Sequence, residues 1–166
     1  MEHTLQLTGP LSRRGSWSAE ACSIRRALEI AGTRSALIIL REAFYGTTRF
    51  DDFAERAGVS EPVAAARLRE LVDEGLLERE PYRTAGQRTR MAYRLTDKGA
   101  DLFPALVALM QWGDRWLAPG GPPVVLRHGG CEEPVRAELR CRAGHQLSVQ
   151  DIHLTSGRQP RAADPD

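Results

Sequence analysis

The chain has 166 residues, 42% hydrophobic and 27% charged, and a formal net charge of +1. That length suits one domain with a small appendage, and the composition is that of an ordinary globular protein. A near-neutral balance leaves nucleic-acid binding to be decided by where the positive charge sits. Lys98 is the sole lysine, so the basic residues are otherwise arginines and each one carries less weight. The start, Met1-Glu2-His3-Thr4-Leu5, has neither a basic nor an apolar targeting region, and the longest strongly apolar run, Ala36–Leu40, is too short to span a bilayer. Three cysteines, an odd number, argue against a secreted disulfide framework. The expectation is a cytoplasmic protein that makes no contact with a membrane.

Residues 1–17 lack periodicity and read as a mobile arm. Ser18 is placed to cap a first helix, with Ile24, Ala27, Leu28 and Ala31 at helical spacing and Gly32 as its stop. Thr33 caps a second helix, apolar on most sides through its middle, that runs to Gly46. The third opens at Arg49-Phe50 and turns inward Phe50, Phe53 and Ala54. After the turn Gly58-Val59-Ser60, a fourth helix spans 61–74, with Ala64, Leu68, Leu71 and Val72 on one side and Pro62 in its first turn.

Two strands, 76–83 and 90–95, flank an arginine-studded turn. Five arginines against two glutamates between Leu76 and Arg94 give this hairpin a local charge of +3. Thr96-Asp97-Lys98-Gly99 caps a long last helix reaching Leu117, more apolar than a surface helix of one small domain requires. The expected division is an arm at 1–17, a domain at 18–117, a Pro/Gly linker at 118–123, a small β-rich extension at 124–154 and a disordered tail at 155–166. The fold class is α+β, mainly α: a winged helix-turn-helix, with the fourth helix in the DNA major groove and the hairpin as wing.

These residues resemble the HxlR-type bacterial transcription regulators. The likeness rests on ordered motifs: Cys22-Ser23-Ile24, Gly32-Thr33-Arg34, Ile39-Leu40-Arg41-Glu42, Arg49-Phe50-Asp51-Asp52-Phe53 and Gly58-Val59-Ser60. It continues through Arg67-Leu68, Leu71–Leu76, Tyr93–Gly99 and Gln111-Trp112-Gly113-Asp114-Arg115-Trp116, covering roughly 21–117. The resemblance implies a homodimer built by the first and last helices, and double-stranded DNA as partner of helix 61–74 and wing 83–90. It implies a local repressor or activator, here read as a repressor on a roughly palindromic site, with some members answering aldehydes, electrophiles or oxidants. The chain departs from the family in Ser35, where a tryptophan is usual, and in the apolar Pro62, Ala64 and Ala65.

The expected DNA contacts are Arg49, Ser60, Glu61, Val63, Arg67, Arg69, Arg83, Arg88 and Arg90. Arginine suits this work because its planar, permanently charged fork matches phosphate oxygens and guanine edges. The plainer alternative is a solvated face with pairs such as Arg69–Asp73. Ile24, Leu28, Leu106, Met110, Trp112 and Trp116 are expected at a dimer interface, the tryptophans and Met110 also lining a cavity between protomers for a small-molecule effector. Cys22, read as lying in the first turns of a helix with Arg25 and Arg26 following, is a redox candidate against the alternative of a small buried apolar residue. His128, Cys131, Cys141 and His145 form two arms nine residues apart whose two sulfurs and two nitrogens suit zinc. A relic that holds no metal and a Cys131–Cys141 disulfide are the other readings, and no cofactor is required. Two further functions stay open: a redox- or zinc-responsive regulator, and a winged-helix interaction module without DNA. No phosphate loop, His-Glu-x-x-His or nucleophile elbow is present, so no enzyme is expected.

Overall fold

The computed structural model describes residues 4–13, 22–83, 89–155 and 157, and the chain divides into two units. The smaller takes Met1–Cys22 from one end and Glu138–Asp166 from the other. In it β1 (Gln6–Leu7), which falls in the expected arm, pairs in parallel with a strand at His153–Leu154, and Leu139–Arg140 pairs antiparallel with Gln146–Leu147. Ser148 donates both its backbone N–H and its hydroxyl to Asp151, at 2.7 and 2.6 Å. Those two bonds, the hydroxyl's first, hold the Asp151 carboxyl below its ordinary pKa.

The larger unit, Ser23–Ala137, carries the helical domain. Its helices are α1 (Ser23–Ala31), α2 (Arg34–Phe44), α3 (Phe50–Ala57) and α4 (Glu61–Asp73). The antiparallel hairpin β2 (Leu77–Tyr82) and β3 (Arg90–Leu95) follows, with Leu77 opposite Leu95 and Tyr82 opposite Arg90. A bridge from Arg49 to Ala92, with the Tyr93 N–H on the Thr48 carbonyl at 2.8 Å, adds the segment before α3 to the edge of β3. Then come α5 (Asp97–Ala100) and α6 (Phe103–Leu117).

The helix signals act where the sequence places them. The Thr33 hydroxyl accepts from the Ala36 N–H at 3.2 Å, one of the donors that a helix start leaves without a partner. Gly58 ends α3 in the left-handed region at φ 61°, which costs a glycine nothing, and lets the Val59 N–H reach back to the Ala54 carbonyl. The core gathers Ile39 and Leu40 of α2, Phe53 of α3, Leu68 and Leu71 of α4, and Leu76 and Leu77 at the start of the wing. Tyr93 meets the Phe53 ring edge-on at 6.0 Å.

Two expectations are corrected. The last helix is broken: Pro104 lacks the N–H that would continue an α-helix from the preceding turn, so α5 stops at Ala100 and α6 starts afresh at Phe103. Cys22 stands exposed just before α1 rather than within a first turn, and the expected cap Ser18 lies outside the described residues.

One junction fixes α4 against the elements that follow it. Lys98 Nζ donates to the Glu74 carbonyl at 2.5 Å and the Thr96 hydroxyl to the Gly75 carbonyl at 2.6 Å. The Thr96 N–H donates to the Leu76 carbonyl at 3.1 Å, while the same Thr96 side chain caps α5 by accepting from the Gly99 N–H. Gly99 presses on this carbonyl so closely that an added Cβ would lie 2.1 Å from its oxygen. The Thr-Asp-Lys-Gly motif is therefore a clamp on the C-terminal end of α4 and the root of the wing.

Candidate nucleic-acid interface

The outer side of α4 shows Glu61, Pro62, Val63, Arg69, Glu70 and Asp73 to solvent, with Arg67 half-buried on its flank. Ala64 is fully buried, so of the three apolar residues at the helix start it serves the core and takes no place on the outer surface. Ser60 is exposed at the N-cap and its side chain makes no capping bond, which frees the hydroxyl for a partner. α4 thus offers a short row of polar atoms on a well-anchored rod.

The expected arginines divide by their partners. Arg67 pairs with Glu70 on the next turn, and Arg90 reaches Asp51 at 3.5 Å across the gap between wing and α3. Arg49 lies over the Tyr82 ring at 5.6 Å. Arg69 and Arg83 are exposed and have no ion-pair partner among the described residues, so the Arg69–Asp73 pair of the plainer alternative does not form there. Arg88 lies outside the described residues. The existing pairs are solvent-exposed and worth at most about 1 kcal/mol each. Exchanging Glu70 or Asp51 for a phosphate is therefore energetically open.

Arg49, Asp51, Tyr82, Arg90 and Met91 line a cleft of about 320 Å³ beside the turn end of the wing strands. Tyr82 was not anticipated as a site residue; its only signal was its place at the end of an arginine-flanked strand.

The residues expected at a dimer or effector site separate onto two faces. Ile24 and Leu28 of α1 are 71% and 58% exposed, and Trp112 and Trp116 of α6 are 56% and 63% exposed. Leu106 and Met110 turn the other way and line a cavity of about 260 Å³ between α2 and α6, which neither tryptophan lines. In the larger unit His128 Nδ1 lies 3.1 Å from Cys131 Sγ, whereas Cys141 and His145 close a hairpin turn in the smaller one. Among the described residues no group of three or more His, Cys, Asp or Glu side chains is arranged to hold a metal ion. No described helix is long and apolar enough to cross a membrane.

The pattern of core, turn and wing is matched by the HxlR-like helix-turn-helix family over residues 30–120. The chain belongs to this family. It is 45% identical over 135 residues to the HTH-type transcriptional regulator Rv3095 of Mycobacterium tuberculosis, covering 80% of this chain and 84% of that one. The crystal structure of PA1607, described as a candidate transcription factor, superposes with a TM-score of 0.73 at 36% identity, covering 82% of this chain and 96% of the other. A second candidate transcription factor, PA1374 from Pseudomonas aeruginosa, gives a TM-score of 0.58 at 33% identity over 86% of this chain and 96% of its own. The HxlR-type protein is thus a DNA-binding transcription regulator with a winged helix-turn-helix fold, from a family of regulators and not of enzymes.

Proposed function

We propose that this HxlR-type protein acts as a homodimeric repressor on a roughly palindromic operator. In this reading α4 enters the major groove and the wing rests on the backbone or in the adjacent minor groove. The observation that carries it is the pairing, in one unit, of an α4 and wing surface that presents the exposed Arg69 and Arg83 with two uncovered apolar stripes. Ile24 and Leu28 lie one turn apart on α1, and Leu109, Trp112 and Trp116 do the same along α6, all more than half exposed. Such a surface is costly in water and marks an interaction site. A second copy covers both stripes at once and sets two α4 helices at a fixed separation, which is what two half-sites require.

Two measurements test this. Light scattering coupled to size exclusion should give a dimer that Trp112→Glu converts to monomer. A monomeric parent protein would refute the assembly. Binding to the DNA upstream of its own gene should weaken with salt. With about six phosphate contacts per dimer, the slope of log K against log salt is roughly −5, and Arg69→Ala or Arg83→Ala flattens it by about two, one contact per protomer. A slope near zero, unchanged in both variants, would leave a winged-helix module that binds other partners.

A second reading is redox input through Cys22, which is exposed beside α1. The redox regulator HypR in its oxidised form has the same fold, with a TM-score of 0.52 at 25% identity over 57% of this chain and 96% of its own. Release from DNA by oxidant that survives Cys22→Ser would remove this reading.

A further inference from the structure

The cavity between α2 and α6 is walled mainly by apolar side chains. The Phe44 and Phe103 rings lie 4.8 Å apart, tilted by 44°, with Leu37, Leu106 and Met110 around them. Its volume is about 260 Å³. An apolar cavity of roughly 150 Å³ already admits benzene, so there is room here for a ring with a short chain. Leu126 completes the wall and is tied to α6 through Val135. The Val135 N–H donates to the Leu126 carbonyl at 2.9 Å, and Gln111 Nε2 donates to the Val135 carbonyl at 2.8 Å. Gln111 Oε1 also accepts from the Ala137 N–H at 2.9 Å, so both ends of the side-chain amide hold this segment.

Two charged residues reach the cavity, and they are not equivalent. Arg41 is already engaged: its Nε and Nη2 donate to Glu42 Oε1 at 3.0 and 2.5 Å. That pair sums to zero. Asp114 is half-buried and has no hydrogen-bond or ion-pair partner among the described residues. The wall therefore carries one uncompensated negative charge beside aromatic faces, both of which attract a cation. We infer that the cavity binds a small lipophilic organic cation, an arylalkyl ammonium, with its ring against Phe44 and Phe103 and its ammonium on Asp114.

The glycine beside Asp114 provides a steric control. Gly113 lines the cavity, and a Cβ built on it would meet nothing within 4 Å, so a side chain can start there toward the cavity space. The experiment is calorimetry on the full chain without DNA, which separates it from the operator reading. Three probes share one skeleton: 4-phenylbutylamine, 4-phenylbutanol and 4-phenylbutyrate. The amine should bind about tenfold tighter than the alcohol, the margin of a charge-assisted contact, and the carboxylate weakest. Asp114→Asn should remove the amine's advantage and leave the alcohol unchanged, while Gly113→Leu should abolish binding of all three. An amine no tighter than the alcohol overturns the inference. So does a preference for the carboxylate, which would give the site to Arg41, or the absence of any binding, which would mean that a second copy or another segment fills the space.

Discussion

The contact between Gly99 and the Leu76 carbonyl yields a sharp test of how the α4 clamp works. In Gly99→Ala the new methyl would start 2.1 Å from the Leu76 oxygen, 3.0 Å from its carbonyl carbon and 3.1 Å from Leu95 Cδ2. The oxygen cannot simply step aside, because it accepts from the Thr96 N–H at 3.1 Å and belongs to a residue only 2% exposed. Overpacking of this kind costs about 1–3 kcal/mol, and a weakened hydrogen bond adds about 1 kcal/mol. The helix preference of alanine over glycine returns only about 0.5–1 kcal/mol. The net expectation is a loss of about 2 kcal/mol, or roughly 8–10 °C in Tm for a unit of this size. Gly113→Ala makes the same chemical change in the interior of α6, where nothing lies within 4 Å, and should gain about 0.5–1 kcal/mol. Thermal unfolding of both variants, at matched protomer concentration because association shifts Tm, decides the matter. If Gly99→Ala melts within 2 °C of the parent, or if both variants shift the same way, on the order of these magnitudes, the close-contact reasoning is wrong.

Asp51→Asn releases Arg90 from its ion pair and removes a negative charge near the wing, so operator affinity should rise by about three- to fivefold at low salt, with the gain fading as salt screens it. A gel-shift titration in which Asp51→Asn binds no better than the parent would show that Arg90 does not face DNA. In the smaller unit, the lowered pKa of Asp151 means that its contribution to stability is fully present above the ordinary aspartate pKa. It is lost as pH falls through the depressed value. NMR titration should therefore find the Asp151 carboxyl ionised at a pH where a free aspartate has protonated, and Ser148→Ala should return it toward normal. An unchanged titration in Ser148→Ala would locate the cause elsewhere.

What the sequence makes legible is local and periodic. Thr33, Gly58, Gly75 and Thr96 announce helix ends because each acts on backbone within a few residues of itself. Ala64, Leu68 and Leu71 announce the buried face of α4 because the helical period puts them there. Pairings across long separations are not announced. Nothing local links Arg90 to Asp51 or Arg94 to Glu80, and both contacts depend on how the wing folds back. The two-residue strands Gln6–Leu7 and His153–Leu154 are too short to carry any period, so their parallel pairing between opposite ends of the chain is invisible in sequence. The cavity between α2 and α6 is not legible either, because the uniform apolar middle of α2 does not reveal which of its residues face α6. Pro104 is the local sign of the break in the last helix, but an ambiguous one, because a proline near a helix start is equally at home.

The clamp by Thr96, Lys98 and Gly99 has a consequence for what DNA this protein would tolerate. It ties the end of α4 to α5, so in the proposed homodimer the two reading heads would be held at a fixed angular phase. Substituting a single base in a half-site then costs about 1–3 kcal/mol. Inserting one base pair between half-sites rotates them by about 35° relative to each other, because the duplex turns once in about 10.5 base pairs. A rod with few base-reading side chains forgives the first error more easily than a rigid frame forgives the second. Selection on such an operator would act on its centre, where the protein touches nothing, by preserving length while letting letters drift.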